Sequence, residues 1–293
     1  MFMKCTGFVL LLAFLITPGG AEGPRAASDP DVMLSSTVIP QGDVGLIRIP
    51  GKGEKPPMVF WMDREVLLVP DGGNRLWTGF IGADLTKAAG RYPLVIKGSP
   101  STENKEISIE IVEKEYGVRR LTLPKKMVDF DPETLKRVRK ESEVMKGLWW
   151  APPTRPLWRG GFTSPVPGEV VGSFGRRSVI NEQPRSPHSG VDLRGEKGTP
   201  VKAINNGRVV LTAKHFLTGF SVVIDHGAGI QSMYFHLEEI KVRKDQTVKR
   251  GDVIGLVGAS GRATGPHLHW GVRINGARVD PLRLTAVSSG LDE

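Results

Sequence analysis

Two histidines near the C-terminus have a spacing that suits chemistry on one face of a β-strand. His267 and His269 lie in TGPHLHWGV (264–272), directly after a Gly-Pro turn and with a single leucine between them. Because side chains at i and i+2 of a strand point to the same side, the pair would share one face, while Leu268 and Trp270 would face the other. The pattern predicts a strand that presents two imidazoles and is anchored by apolar packing behind them.

Further candidate metal ligands lie upstream of this pair. SPHSGVDLRG contains His188 and Asp192, and IQSMYFHL contains His236. Catalytic zinc is typically held by three nitrogen or oxygen ligands, which leaves a fourth position for water. His188, Asp192 and one member of the HLH pair would supply such a set, and the other member would lie close by. Each residue alone is more typical of a structural role, but their joint occurrence among glycine-rich turns indicates a metal site.

The segments that carry these residues belong to a region of β patterning from residue 161 to residue 285. Its apolar runs are divided by turn sequences such as NNG, HGAG and KRGD, and no long helical period interrupts them. The pattern predicts an antiparallel β domain, followed by a tail at residues 286–293. The predicted strands are VVGSF (170–174), VVLTA (209–213), FSVVID (220–225), IQSMYFHL (230–237), VIGLVG (253–258) and HLHWGVRI (267–274).

A separate β-rich region precedes it at residues 31–115. Short apolar or alternating runs there are separated by Gly, Pro, Asp or Asn turns, which is typical of an immunoglobulin-like β-sandwich. No cluster of histidines, cysteines or carboxylates occurs in this part of the sequence, so a spacer or binding module is the favoured role.

A connector at residues 116–160 links the two regions. DPETLKRVRKESEVMKG (131–147) predicts a strongly charged helix with Asp131 as its N-cap, a proline at the first helical position and Gly147 at its end. The Pro- and Trp-rich tether LWWAPPTRPLW follows. For its tryptophans, packing against a domain is favoured over stacking on a ligand.

Residues 1–21 have the form of a secretory signal peptide. Lys4 forms the charged n-region, residues 8–16 the apolar core, and residues 19–21 a small-residue cleavage site. The apolar run is too short to cross a bilayer, so we expect export to the periplasm or cell envelope, with no stable membrane span after cleavage. The only cysteine, Cys5, lies in this segment, so the mature chain would build any metal site from histidines and carboxylates.

The chain is basic, with a formal net charge of +9. Such a surface favours an anionic partner, and for an exported protein the cell wall is a better candidate than nucleic acid. No recognised nucleic-acid-binding motif is present, so we expect no nucleic-acid partner.

Motifs across residues 165–285 resemble the LytM/lysostaphin-type zinc metallopeptidases of peptidase family M23 and occur in the family's order. The resemblance implies a twisted antiparallel sheet of the LytM, or duplicated hybrid motif, type and a Zn²⁺ site that cleaves peptide bonds in peptidoglycan. The segments that carry the resemblance are GSFGRR (172–177), HSGVDLRGEKGTPVKAINNGRVV (188–210), VVIDHGAGIQSMYFHL (222–237), VKRGDVIGLVGASGRATGPHLHWGV (248–272) and VDPL (279–282).

The resemblance also implies a role for each candidate residue. His188, Asp192 and His269 match the zinc ligands of the family, whereas His236 and His267 match two catalytic histidines that do not bind the metal. These two would orient and deprotonate a metal-activated water, then stabilise the oxyanion or protonate the leaving amine. Which histidine performs which step stays open. The chain contains no H-E-x-x-H, so a zincin-type glutamate base is disfavoured.

Other polar residues near the motifs have less defined roles. Arg176 in GSFGRR is a candidate for substrate binding through a carboxylate, with a structural salt bridge as an equal alternative. Thr264 and Gly265, in the turn before the HLH pair, are further candidate substrate-binding positions. His215 and His226 are expected to lie outside the metal site.

These features lead to the hypothesis of an exported zinc metalloendopeptidase that hydrolyses peptide cross-links in peptidoglycan and is D,D-endopeptidase-like. The alternative is a catalytically silent M23 module that binds the cell wall and activates a separate amidase. The presence of all five site residues favours the enzyme. A wall-binding role for the N-terminal region stays open, as do a regulatory protein partner, inhibition by that region, the oligomeric state and the exact scissile bond.

Overall fold

The structure is a computed structural model. It describes residues 28–29, 32–51, 55–70, 76–98, 104–122 and 128–291. The predicted signal peptide lies outside these ranges. The fold is mainly β, as predicted, and the described residues contain two helices. Neither helix is both long enough and apolar enough to cross a membrane.

The first half of the chain forms two five-stranded sheets that share one apolar core. One sheet has the order β1-β2-β4-β8-β7 and the other the order β3-β10-β9-β5-β6. Ile47 of the first sheet and Val59 and Leu94 of the second lie in the same buried cluster, so the sheets pack face to face. Whether this arrangement is immunoglobulin-like stays a prediction. The strands are β1 (Ser28–Asp29), β2 (Val32–Leu34), β3 (Val38–Pro40), β4 (Val44–Pro50), β5 (Met58–Trp61), β6 (Arg64–Val66), β7 (Val69–Pro70), β8 (Leu76–Gly82), β9 (Gly90–Lys97) and β10 (Lys105–Val112).

The connecting segment contains one strand, β11 (Val118–Leu121), and the first helix, α1 (Pro132–Trp149). The Asp131 side chain caps α1 by accepting a hydrogen bond from the Thr134 backbone N–H at 2.8 Å, as its position in the sequence predicts. The helix ends two residues later than predicted, at Trp149 rather than at Gly147. Burial of Trp149 against the C-terminal sheet explains this, because the packing outweighs the weak helix propensity of glycine.

The C-terminal half is dominated by one twisted sheet with the order β12-β15-β22-β19-β18-β17-β20, to which β16, β21 and β23 add further pairings. Every strand pair in this sheet is antiparallel, as predicted. A small sheet of β11, β13 and β14 lies outside it. The elements are β12 (Val170–Gly172), β13 (Arg177–Ile180), β14 (Gln183–Pro184), β15 (Val191–Arg194), β16 (Pro200–Lys202), β17 (Gly207–His215), β18 (Gly219–Asp225), β19 (Ile230–Ile240), β20 (Thr247–Val248), β21 (Val253–Val257), β22 (His267–Ile274), β23 (Ala277–Val279) and α2 (Pro281–Ser288).

The two faces of the large sheet have different partners. Leu268 and Trp270 of β22 are fully buried in the main C-terminal core, as the alternation of the sequence predicts. Met233 and Phe235 of β19 face the other side, where they pack with Trp149 at the end of α1. Helix α1 therefore covers part of the sheet face that also carries the HLH pair.

The N-terminal sheets are joined to the C-terminal sheet by polar contacts. Arg278 donates to Asp84 through Nη2 at 2.7 Å and through Nε at 3.0 Å. Arg283, in helix α2, donates to Asp43 at 2.7 Å. Helix α2 extends three residues into the segment predicted to be a tail, because its apolar side packs into the core through Leu284.

Candidate metal centre and active site

Strand pairing places the candidate metal ligands on adjacent strands. Asp192 of β15 is directly opposite His269 of β22. His188 lies three residues before β15 begins, and its backbone is fixed on both sides. The His188 N–H donates to the Arg176 carbonyl at 3.0 Å, and its carbonyl accepts from the Gly175 N–H at 2.8 Å. The three side chains converge although 81 residues separate His188 from His269.

The three ligand atoms form a nearly equilateral triangle. His188 Nε2 lies 2.9 Å from His269 Nδ1 and 3.1 Å from Asp192 Oδ1, and the latter two atoms are 3.0 Å apart. Tetrahedral zinc coordination spaces ligand atoms by about 3.3 Å, so the triangle would need only a small expansion to hold the ion. The donor set and its geometry therefore fit a metal that keeps a fourth position open.

Hydrogen bonding fixes which nitrogen of His188 is available as a ligand. Its Nδ1 lies 2.9 Å from the Ser173 carbonyl oxygen, which can only accept. Nδ1 must therefore carry the hydrogen, and in the neutral ring Nε2 presents its lone pair to Asp192 and His269. This arrangement, with one ring nitrogen held by a carbonyl and the other free, is typical of metal-binding histidines.

The charge states of the cluster also suit a cation. Burial alone would raise the pKa of Asp192, but hydrogen bonds from His188 and His269 outweigh it and hold that pKa far below its usual range. Burial lowers the pKa of His269, although Asp192 opposes the effect. For His188 burial acts in the same direction, but the hydrogen bond and charge of Asp192 raise its pKa overall. The carboxylate is thus ionised, as a zinc ligand must be.

His236 and His267 lie beside this triangle with their rings 5.0 Å apart. Each is held at Nδ1 by a backbone carbonyl, His236 by Ser260 at 2.8 Å and His267 by Gly265 at 2.9 Å. Both rings therefore keep Nε2 free as a proton acceptor when neutral. Burial lowers the pKa of His236 to about 4, so this ring is neutral at pH 7.

His236 reaches the site through an unusual backbone conformation. Its φ of 61° lies in the left-handed region, which is costly for a residue other than glycine. The His236 N–H donates to the Thr218 carbonyl at 2.8 Å, which helps to hold this conformation. In a regular strand Phe235 and His236 would face opposite sides. Here Phe235 stacks on His269 with a centroid distance of 5.4 Å, and the His236 ring lies 6.2 Å from the same ring.

The other predicted positions lie around this centre. Arg176 is half-buried beside His188, and Thr264 is exposed in the turn before β22. At Gly265 an added Cβ would meet nothing within 4 Å, so its protein surroundings do not require glycine. The glycine that this turn does require is Gly261, which has a φ of 74° and packs against the backbone of Gly219.

Two histidines lie outside the cluster, as expected. His226 is fully buried in the core, where Nδ1 contacts the Asn206 carbonyl and Nε2 the Ser232 hydroxyl, each at 2.7 Å. His215 ends strand β17. Sequence reasoning missed Phe235 and the carbonyls of Ser173 and Ser260. The pairing of Phe235 with His269 in adjacent strands is the one signal that could have indicated its role.

A β domain with a His-Asp-His cluster and two further histidines has the architecture of a metal-dependent hydrolase. Residues 186–281 match the model of peptidase family M23. A crystal structure assigned to peptidase M23 from Pseudomonas aeruginosa is 33% identical, with a TM-score of 0.64, and the match covers 84% of this chain and 94% of that one. The chain belongs to peptidase family M23, which confirms the resemblance seen in the sequence.

Curated relatives match the C-terminal half. The peptidoglycan DD-endopeptidase ShyB of Vibrio cholerae is 42% identical over 97 residues, which are 33% of this chain and 23% of that protein. ShyA, a peptidoglycan DD-endopeptidase of the same organism, is 44% identical over 98 residues, with the same two shares. The DD-carboxypeptidase/endopeptidase Mpg of Neisseria meningitidis is 40% identical over 95 residues, which are 32% of this chain and 22% of that protein. The chain thus spans less than a quarter of the length of these relatives.

Proposed function

We propose that this protein is an exported zinc endopeptidase that hydrolyses peptide cross-links in peptidoglycan. The observation that carries the proposal is the triangle of His188, Asp192 and His269, with ligand atoms 2.9–3.1 Å apart. Two further histidines with free Nε2 atoms lie beside it. Relatives named as peptidoglycan DD-endopeptidases support the substrate class, and the basic net charge of +9 suits an acidic wall polymer.

The proposed ligand atoms are His188 Nε2, Asp192 Oδ1 and His269 Nδ1. When bound there, zinc supplies Lewis acidity that makes water a nucleophile near neutral pH and polarises the scissile carbonyl. The surrounding structure keeps the ligands in place. The Ser173 carbonyl orients His188, and the face of Phe235 stacks on His269 with an interplanar angle of 4°.

His236 and His267 are proposed to move the protons of the reaction. Amide hydrolysis adds water to the carbonyl carbon, breaks the C–N bond and transfers one proton to the leaving amine. A neutral imidazole can accept the water proton at Nε2, and the resulting N–H can then donate to the oxyanion or to the amine. The carbonyls of Ser260 and Gly265 accept from the Nδ1–H groups throughout, so each ring can carry positive charge without turning.

The two histidines are not equivalent. His267 Nε2 lies 3.8 Å from Asp192 Oδ1, whereas no such approach to Asp192 is seen for His236 among the described residues. Burial favours a neutral His236, which suits a group that accepts a proton. We therefore propose His236 as the proton acceptor and His267 as the group that stabilises negative charge on the substrate oxygen.

The proposal can be tested by digesting purified sacculi with the chain lacking residues 1–21, loaded with zinc, and identifying released fragments by mass spectrometry. We expect cleavage of peptide cross-links and loss of bound zinc in His269→Ala. His236→Ala should retain zinc but lose about 100- to 10,000-fold in rate. His215→Ala is the matched control, because His215 lies outside the cluster, and it should retain both zinc and activity.

One outcome would favour the alternative of a silent module that activates an amidase. In that case the wild-type protein would bind sacculi and release nothing from them. Adding a purified amidase would then produce stem peptides released by amidase cleavage rather than opened cross-links. The location is tested separately, by fractionating cells that express the full chain. We expect the protein in the periplasm or cell envelope, shortened by removal of the N-terminal signal.

A further inference from the structure

Two arginines lie on separate loops near the proposed zinc site. Arg185 is in the loop between β14 and β15, three residues before His188. Arg262 is in the turn between β21 and β22, two residues after Ser260, whose carbonyl holds His236. Neither arginine forms an ion pair with a carboxylate anywhere in the described ranges of the chain. Each arginine is thus close in the chain to a residue of the candidate site.

Backbone hydrogen bonds fix both loops. The Arg185 N–H donates to the Ser178 carbonyl at 2.8 Å, which ties the loop to strand β13. The Arg262 N–H donates to the Leu217 carbonyl at 2.8 Å, which ties its turn to the β17–β18 hairpin. The two side chains therefore come from loops anchored to two different sheets. Their positions are set by the fold and not by each other.

Arg185 is a charged neighbour of Arg262. Burial lowers the pKa of Arg262, and the positive charge of Arg185 lowers it further. The Nε–H of Arg185 is buried and has no hydrogen-bond acceptor among the described residues, while its Nη2 donates to Gln183 at 3.1 Å. Buried donors are normally paired, and like charges brought together cost free energy. Two arginines with such geometry are typical of a site for a carboxylate or phosphate oxygen.

We propose that Arg185 and Arg262 form a carboxylate-binding subsite of the substrate groove. It would select cross-linked peptides that carry a free carboxylate close to the scissile bond. The inference rests on the proposed function, because the peptides that cross-link a cell wall are acidic. It assigns substrate selection to two residues that are not among the candidate site residues identified from the sequence. A bidentate contact from each guanidinium would orient the peptide before its carbonyl reaches His236 and His267.

The test compares two synthetic cross-linked peptides that differ only at this carboxylate, one with it free and one with it amidated. We expect wild-type protein to prefer the free form through a lower KM. Arg262→Gln and Arg185→Gln should each raise KM for the free form by about 10- to 100-fold, the range for a hydrogen bond to a charged group, and leave the amidated form unchanged. Arg262→Lys should restore part of the preference. Arg243→Gln is a charge-matched control on an exposed loop and should change neither substrate.

Two results would overturn the subsite. One is an equal loss of cleavage activity toward both peptides in the arginine variants, which would indicate that the arginines have a structural role. The other is a wild-type protein that cleaves both peptides equally well. If the wild type cleaves neither, the proposed function fails, and calorimetric binding of the same peptides still decides the subsite. Preferential binding of the free form that is lost in Arg262→Gln would support it, and equal binding of both forms would refute it.

Discussion

The salt bridge between Asp84 and Arg278 gives a quantitative prediction about how the two halves of the chain are held together. Asp84 follows the N-terminal strand β8, and Arg278 lies in β23 of the C-terminal sheet. The guanidinium donates to both carboxylate oxygens, at 2.7 Å and 3.0 Å, and the Arg278 backbone N–H donates to Asp84 at 2.8 Å. We predict that Asp84→Asn destabilises the protein strongly at neutral pH and much less in acid.

The magnitude follows from the pKa of the carboxyl group. Burial alone would raise the pKa of Asp84, but the hydrogen bonds and charge of Arg278 lower it from 3.8 to about 2. Each unit corresponds to about 1.4 kcal/mol, so the ionised group contributes about 2.5 kcal/mol at pH 7. Because the folded-state pKa is depressed, this stability is present above about pH 4 and is lost as the pH falls through 2. At pH 3 about 1.3 kcal/mol remains.

The assay is urea denaturation of wild type and Asp84→Asn at pH 7 and pH 3, followed by tryptophan fluorescence. Asparagine resembles the protonated aspartic acid. The difference in the free energy of unfolding between wild type and Asp84→Asn should therefore fall by about half from pH 7 to pH 3. Asp245→Asn serves as the control. Its partner Arg208 is 58% exposed and Asp245 is 57% exposed, so this pair should contribute less than about 1 kcal/mol at either pH.

If wild type and Asp84→Asn differ by the same free energy of unfolding at pH 7 and pH 3, this reasoning is refuted. It would mean that the substitution acts through packing rather than through the charge of Asp84. A difference at pH 7 no larger than that of Asp245→Asn would refute it as well. The free-energy cost of burying the Asp84 carboxylate would then have cancelled the stabilisation by Arg278.

Three further substitutions test the packing around the site. Gly190→Ala would place a Cβ against the Trp270 carbonyl and 2.8 Å from His269 Nε2, so zinc affinity should fall roughly tenfold in a chelator competition. Gly265→Ala, where a Cβ meets nothing within 4 Å, should leave that affinity unchanged. Trp149→Ala should lower the free energy of unfolding by about 3–5 kcal/mol in urea denaturation. The Trp149 side chain, at the end of α1, is only 7% exposed and packs against the C-terminal sheet.

The elements of the fold could be predicted where local pattern and tertiary packing agree. Alternation in HLHWGVRI correctly assigned Leu268 and Trp270 to the core, because a strand with one buried face must alternate. The end of α1 was predicted less well, since Gly147 is a stop signal only when nothing beyond it is buried. Helix α2 was missed because eight residues are too few for a clear helical period. Its Asp280-Pro281 start signal was nevertheless present in the sequence.

The sequence indicated which residues form the candidate site, but it did not indicate how they are arranged. The candidate residues could be identified by type and spacing, but their distances depend on strand register. The orientation of His236 could not be predicted, because a positive φ at a non-glycine residue is imposed by contacts with Thr218 and Ser260. The placement of Arg185 and Arg262 depends on two loops whose conformations no local pattern determines.

Local hydrogen bonding alone does not separate the proposed ligand His188 from the proposed metal-free histidines. His188, His236 and His267 are each held at Nδ1 by a backbone carbonyl, at 2.8–2.9 Å, and each leaves Nε2 available. What differs is their position relative to Asp192, whose Oδ1 lies 3.1 Å from His188 Nε2 and 3.8 Å from His267 Nε2. A shared zinc ion requires donor atoms about 3.3 Å apart, which the first distance suits better than the second. The register that sets Asp192 opposite His269 therefore supports the proposal that His188 and His269 bind the metal while His236 and His267 transfer protons.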